Sequence, residues 1–167
     1  MRILDPWMTM VDKVNDFFCK ILWVGIFLNA VIMLFEVFMR YILRAPTIWA
    51  NELSQFIFGA YIVLIGGFLT SQRIHTNVDI LYSHFSIRGK ALADIVTFPF
   101  TFIYTSAMLI FGISFAWNSL EKFEHTITAW GPPVYPVKIL IPLGALLLLT
   151  QSVVVLIRDI RRMLSKQ

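Results

Sequence analysis

Three histidines and a scatter of carboxylates carry what side-chain chemistry this 167-residue chain offers. The densest polar group lies in "GGFLTSQRIHTNVDIL", residues 66–81, where an apolar run gives way to Gln72, Arg73, His75, Asn77 and Asp79. His75 and Asp79 are i and i+4, so on a helix they share one face and can hydrogen-bond. An imidazole oriented by a carboxylate suits general-base work. A catalytic site also needs a nucleophile or metal and a pocket that excludes water. Neither G-x-S-x-G nor H-E-x-x-H accompanies the pair. The expectation is therefore structural: a polar turn whose groups cap helix ends and anchor a surface helix.

Metal and haem chemistry fare no better. His75, His84 and His125 all fall outside the apolar runs, whereas a haem anchor needs axial ligands inside a bundle. "EKFEH", residues 121–125, has Glu121 where an H-x-x-E-H zinc motif needs its first His. The single cysteine, Cys19, excludes an internal disulfide and a Cys-based zinc site. No cofactor is expected. Nothing resembles an aromatic-interleaved basic patch, so no nucleic-acid partner is expected either.

The elements that must carry these residues are membrane spans. The chain is 58% hydrophobic and 14% charged, against roughly 45–50% and 25% in soluble domains. Its apolar residues cluster in four runs, about 17–39, 52–71, 92–117 and 137–157, each near the ~20 residues that cross a bilayer core as a helix. A soluble bundle would keep a polar face along each helix, yet Ile95 to Trp117 holds no charge. Its Thr and Ser can bond back to the helix's own carbonyls. The expected fold is an all-α integral membrane protein of four transmembrane helices, forming one domain over 1–167. No cleavable signal is expected, because Asp5, Asp12 and Asp16 precede the first run and no small-residue cleavage site follows it.

Residues 1–18 place Ile3, Leu4, Trp7, Met8, Val11, Val14 and Phe18 at helical spacing. They read as an amphipathic interfacial helix leading into span 1. Glu36 and Arg40 form an i, i+4 pair at the end of that span. Span 2 carries Gly59, Gly66 and Gly67, small residues that let a neighbouring helix approach in lipid. Between spans 2 and 3, Ile74, Val78, Leu81 and Phe85 suit a short surface helix.

Orientation follows the cations. With the N-terminus inside, cytoplasmic segments hold ten of the fourteen Lys and Arg residues, and outer segments hold four: Arg40, Arg44, Lys122 and Lys138. Both termini are therefore expected in the cytoplasm, with segments 44–51 and 118–136 outside. Lys20, Glu36, Glu52, Asp94 and Lys138 all lie toward helix ends, so the mid-membrane lacks the ionisable residues that mark an ion path. Such a chain is a poor pump and a reasonable scaffold against a larger membrane partner. A haem-binding anchor subunit of an oxidoreductase and a self-sufficient small exporter are the alternative readings.

Three pieces resemble a known family. "RYILRAPTIWANELSQF" (40–56) has an Arg closing span 1, then a Trp and an acid opening span 2, here Arg40, Trp49 and Glu52. "GGFLTSQRIHTNVDIL" has a small-residue helix followed by a His and an Asp, here Gly66, His75 and Asp79. "YPVKILIPLGALLLLTQ" (135–151) is similar to the last span. In these the chain resembles the small, DctQ-like membrane subunit of a tripartite ATP-independent periplasmic (TRAP) transporter. Asn51 precedes Glu52 where many relatives carry a second acid. The resemblance implies a non-catalytic subunit of the bacterial inner membrane, with three partners: a large multi-span TRAP subunit, a periplasmic substrate-binding protein and membrane lipid. It implies sodium-coupled uptake of an organic acid by that complex. Candidate partner contacts are Gly59, Gly66 and Gly67 in span 2, and Thr47 and Trp130 in the outer segments.

Overall fold

A computed structural model of the chain describes residues 4–72 and 87–164. They form four α-helices, α1 (Leu4–Tyr41), α2 (Ala50–Ser71), α3 (Ile87–Glu121) and α4 (Tyr135–Leu164), each long and apolar enough to cross a membrane. The surface helix expected around Ile74 to Phe85, with His75 and Asp79, lies outside the described residues.

The amphipathic N-terminal segment and the first span are one helix of 38 residues. Pro6 sits in its first turn, where a missing N–H costs nothing, and no Gly or Pro follows until Gly25 to break it. At 1.5 Å per residue α1 is about 57 Å long, nearly twice the ~30 Å hydrocarbon core. The other helices also begin a few residues before, or end after, the expected spans. Pro99 and Pro142 lie inside α3 and α4, and both helices continue through them. In α3, Thr105 Oγ1 donates to Thr101 O at 2.7 Å and Asn118 Nδ2 to Ser114 O at 2.8 Å, so these two polar side chains are satisfied within their own helix.

α4 is the central helix. It packs along α3 on one side and α2 on the other, while α1 packs along α2 and meets α4 over a shorter stretch. Among the described residues neither α1 nor α2 packs extensively against α3, so the helices form an open array rather than a closed ring. Burial reflects this: 33% of α4's most apolar window is buried, against 11% for α1 and α3. A core of Leu22, Leu64 and Leu147 joins α1, α2 and α4, with Val14, Phe18, Tyr61, Ile65, Leu140 and Leu143 around it. The outer faces of α1 and α3 expose Phe27, Leu34, Phe100 and Phe111. Apolar exposure on this scale fits a lipid or protein neighbour and not water.

Two glycines set how closely the helices approach. A Cβ on Gly144 would overlap the backbone of Val63, coming within 2.9 Å of its carbonyl carbon. A Cβ on Gly67 would run into the Asn15 carboxamide and lie 3.2 Å from the Leu147 carbonyl carbon. Close backbone approach of this kind stabilises helix association through dispersion where no hydrophobic effect drives it.

Candidate functional site

One end of the array gathers the α1–α2 turn, the α3–α4 loop, the family-like residues Arg40, Trp49 and Glu52, and the candidate partner contact Thr47. Glu36, buried near the end of α1, organises the turn. Its Oε1 accepts from Arg40 Nε at 3.0 Å and Nη2 at 2.6 Å, the i, i+4 pair read from the sequence. Its Oε2 accepts from Thr47 N at 3.1 Å and from the Thr47 hydroxyl. The one carboxylate thus ties the end of α1 to the strand of chain entering α2. Arg44 takes φ 53° to make the reversal, and Ala45 N donates back to Met39 O at 3.0 Å. Trp49 precedes the first turn of α2 and stacks on Phe35 at 6.2 Å between ring centroids.

The α3–α4 loop is ordered by its own backbone. His125 and Pro133 form an antiparallel bridge, with Thr126 N donating to Pro132 O at 3.0 Å and Val134 N to Glu124 O at 2.9 Å. Gly131 supplies φ +61° at the tip, a left-handed conformation natural to glycine. On the C-terminal arm of the loop Pro132, Pro133 and Pro136 restrict the chain further. Two anchors hold the loop to the helices. Thr126 Oγ1 donates to Glu52 Oε2 at 3.3 Å, linking it to the start of α2. Lys138 Nζ lies 2.5 Å from Glu124 Oε2 and 4.2 Å from the Phe115 ring centroid. The Lys138 ammonium holds the Glu124 carboxyl below its ordinary range. Ile48, Ile127 and Trp130 stand out from this end; Ile127 is 105% exposed, as open as in an extended peptide.

The opposite ends of α1 and α4 hold a polar chain that sequence reading did not pair. Asn15 is 1% exposed and Gln151 0%. Asn15 Nδ2 donates to Gln151 Oε1 at 2.8 Å, and Gln151 Nε2 donates to Asp12 Oδ1 at 3.0 Å. Arg158 pairs with Asp12, and Arg161 Nη1 reaches Asp5 Oδ1 at 2.5 Å. The groups therefore run from a dry node outward to a charged rim. The signal was present as Asp5 and Asp12 seven apart, and Arg158 and Arg161 three apart. Which helices met was not readable from either.

The sequence-selected glycines divide. Gly66 lies 3.7 Å, measured from its Cβ position, from Leu148 Cδ1 of α4, and Gly67 abuts Asn15 and Leu147, so both serve contacts inside the chain. Among the described residues nothing outside its own stretch of helix comes within 4 Å of the Gly59 Cβ position, and Gly59 lies beside the exposed Phe58 and Ile62. Gly144, which makes the closest approach in α4, was not singled out. Thr47 and Trp130 lie on the turn and loop of the ordered end.

Four lipid-length helices in an open array, with ordered connections at one end, define a multi-pass all-α membrane protein. The family model for tripartite ATP-independent periplasmic transporters, DctQ component, matches residues 29–162, and the chain belongs to that family. DctQ is a transporter component family and not a known enzyme family, so this is the small component of a TRAP transporter of the inner membrane. Such components work in a complex with a large membrane subunit and a substrate-binding protein. No curated protein matches the chain. The match covers Gln151, Arg158 and Arg161 but begins after Asp5, Asp12 and Asn15, so the polar chain joins matched to unmatched sequence.

Proposed function

We propose that this chain holds the large subunit of a sodium-coupled organic-acid importer in the membrane and helps dock its periplasmic binding protein. The observation that carries the reading is the family match over 29–162 on an open array whose glycine notch at Gly59 is unfilled. A helix face with a small residue between exposed apolar side chains suits a second helix seated against it. The α2 face with Gly59, Phe58 and Ile62 takes the large subunit. The end bearing Thr47, Ile127 and Trp130 faces the periplasm and meets the binding protein. Both termini lie in the cytoplasm, a reading supported by the ten-to-four division of cations.

Gly59→Leu tests the first contact, because it fills space that no other group occupies among the described residues. It is expected to reduce copurification of the large subunit at least about fivefold while leaving the chain's own thermal unfolding unchanged. That corresponds to about 1 kcal/mol of association. Recovery equal to wild type would remove this face from the interface. Gly66→Leu is a poorer probe, since it also presses on Leu148 within the chain.

A further inference from the structure

Among the described residues two non-glycine residues take a positive φ, Arg44 at 53° and Phe123 at 44°. In that region Cβ comes close to the following carbonyl oxygen, so the conformation favours glycine. Both residues stand at the same end of the array, one in each of its two connections. Phe123 closes α3. Its N–H donates to Leu120 O at 3.1 Å, and Glu124 N donates to Ser119 O at 3.1 Å, the paired bonds of a helix end whose left-handed residue is ordinarily glycine. Glycine is used at this end where no side chain is needed, since Gly131 makes the left-handed turn at the loop tip. Packing within the chain does not account for either strained side chain. Phe123 is 66% exposed, and its one ring contact among the described residues is Tyr135, edge-on at 6.0 Å. Arg44 is exposed and has no hydrogen-bond or ion-pair partner among the described residues. The acids of this end are engaged elsewhere: Glu36 by Arg40 and Thr47, Glu52 by Thr126, Glu121 by Trp117 Nε1 at 2.6 Å, and Glu124 by Lys138.

We propose that Arg44 and Phe123 are the two anchors by which this end grips the periplasmic binding protein, Arg44 against a carboxylate of that protein and Phe123 in an apolar recess. The inference rests on the reading of this end as the docking surface, and it names the side chains that carry the contact. Strained backbone conformations persist where the surrounding structure over-determines them, and they gather at functional sites. Here the frame is fixed on both sides: the Glu36 bonds hold the turn before α2, and the His125–Pro133 bridge holds the loop after Phe123. Two side chains held outward by such a frame are preorganised, so little ordering is left for the moment of binding. Arg and aromatic residues, Phe among them, are enriched at protein interfaces. A lipid headgroup layer is the other surface within reach of an outer loop. It is fluid, so it accepts a cation or a ring in any orientation and gives no reason to hold the backbone left-handed. Phe also lacks the polar tip that suits Trp and Tyr to that layer.

The test uses the full chain in its complex with the large subunit, held in nanodiscs and titrated with the binding protein, with thermal unfolding of each variant followed in parallel. Phe123→Ala and Phe123→Gly are both expected to weaken binding about tenfold or more, as the loss of an interface anchor does. They differ in stability. Phe123→Ala keeps the strained φ, whereas Phe123→Gly relieves it and unfolds about 2–4 °C higher than the alanine variant. Arg44→Ala and Arg44→Gly behave in the same way, and Arg44→Glu weakens binding further than either by repelling the facing carboxylate. Trp130→Ala separates the two readings. If it weakens binding while the Phe123 and Arg44 variants bind as wild type does, the anchors are overturned and the docking end stands. If none of these variants changes binding, the docking reading falls and the anchors fall with it. Substitutions that leave binding intact but lower the unfolding midpoint in nanodiscs and not in detergent assign both side chains to the lipid surface, which also overturns the proposal.

Discussion

Asn15 illustrates what a single polar residue does in an apolar core. Its carboxamide occupies the space that Gly67 leaves, and its amine reaches Gln151 on a third helix. A hydrogen bond of this type is worth about 0.6–1.7 kcal/mol between membrane helices, because the separated helices find other partners. A double-mutant cycle of Asn15→Leu and Gln151→Leu, read by reversible unfolding in detergent, should return a coupling in that range. A coupling near zero would mean that the two amides merely coexist. Gly144 works by what it lacks. Gly144→Leu would drive a side chain into the Val63 backbone, which has no rotamer to yield, so the cost is expected at about 3 kcal/mol or more, the upper end for overpacking. Thermal unfolding of that variant beside Gly59→Leu separates a glycine needed inside the chain from one facing outward.

At the scale of elements, the connections are as defined as the helices. The α1–α2 turn depends on Glu36 receiving Arg40 and Thr47, and the α3–α4 loop on Glu124 receiving Lys138. Because the Lys138 ammonium holds the Glu124 carboxyl below the ordinary carboxylate range, the folded loop binds this proton less tightly than the open loop does. The contribution is therefore complete above the ordinary carboxylate range. It disappears as pH falls through the lowered folded value. Amide exchange of residues 122–134 should stay slow from neutral pH down to about 5, after correction for intrinsic rates, and accelerate below that range. Glu124→Gln should exchange at the faster rate throughout and lose the pH response. A variant that still responds would assign the titration to another group. An ordered loop suits the proposed docking role, since a preformed surface loses less entropy on binding than one that must first fold.

At the scale of the whole molecule, the open array leaves most of α1 and α3 uncovered among the described residues, which suits a subunit with lipid on one side and protein on another. The proposed orientation is checked by labelling. Cysteine at Ile127, the most exposed large apolar residue of the loop, should react with a membrane-impermeant maleimide added outside intact cells, while buried Cys19 contributes little background. Labelling only after the membrane is opened would invert the topology and move the docking surface to the other end.

The sequence by itself determined the four spans, the helical class, the Glu36–Arg40 pair and the family resemblance. Each depends on local quantities: the length of an apolar run, an i, i+4 spacing, or the order of motifs along the chain. It also marked Gly59, Gly66 and Gly67 as a group without separating the two that pack inside from the one that does not. Only the tertiary structure decided that α4 is central, that Gly144 meets Val63, and that Asn15 and Asp12 find Gln151 and Arg158 more than 130 residues away. In an apolar solvent all faces of a span are nearly equally greasy, so hydrophobic periodicity does not say which face meets a neighbour. The choice is made by where backbones can approach and where polar groups find partners, and both exist only once the helices are side by side.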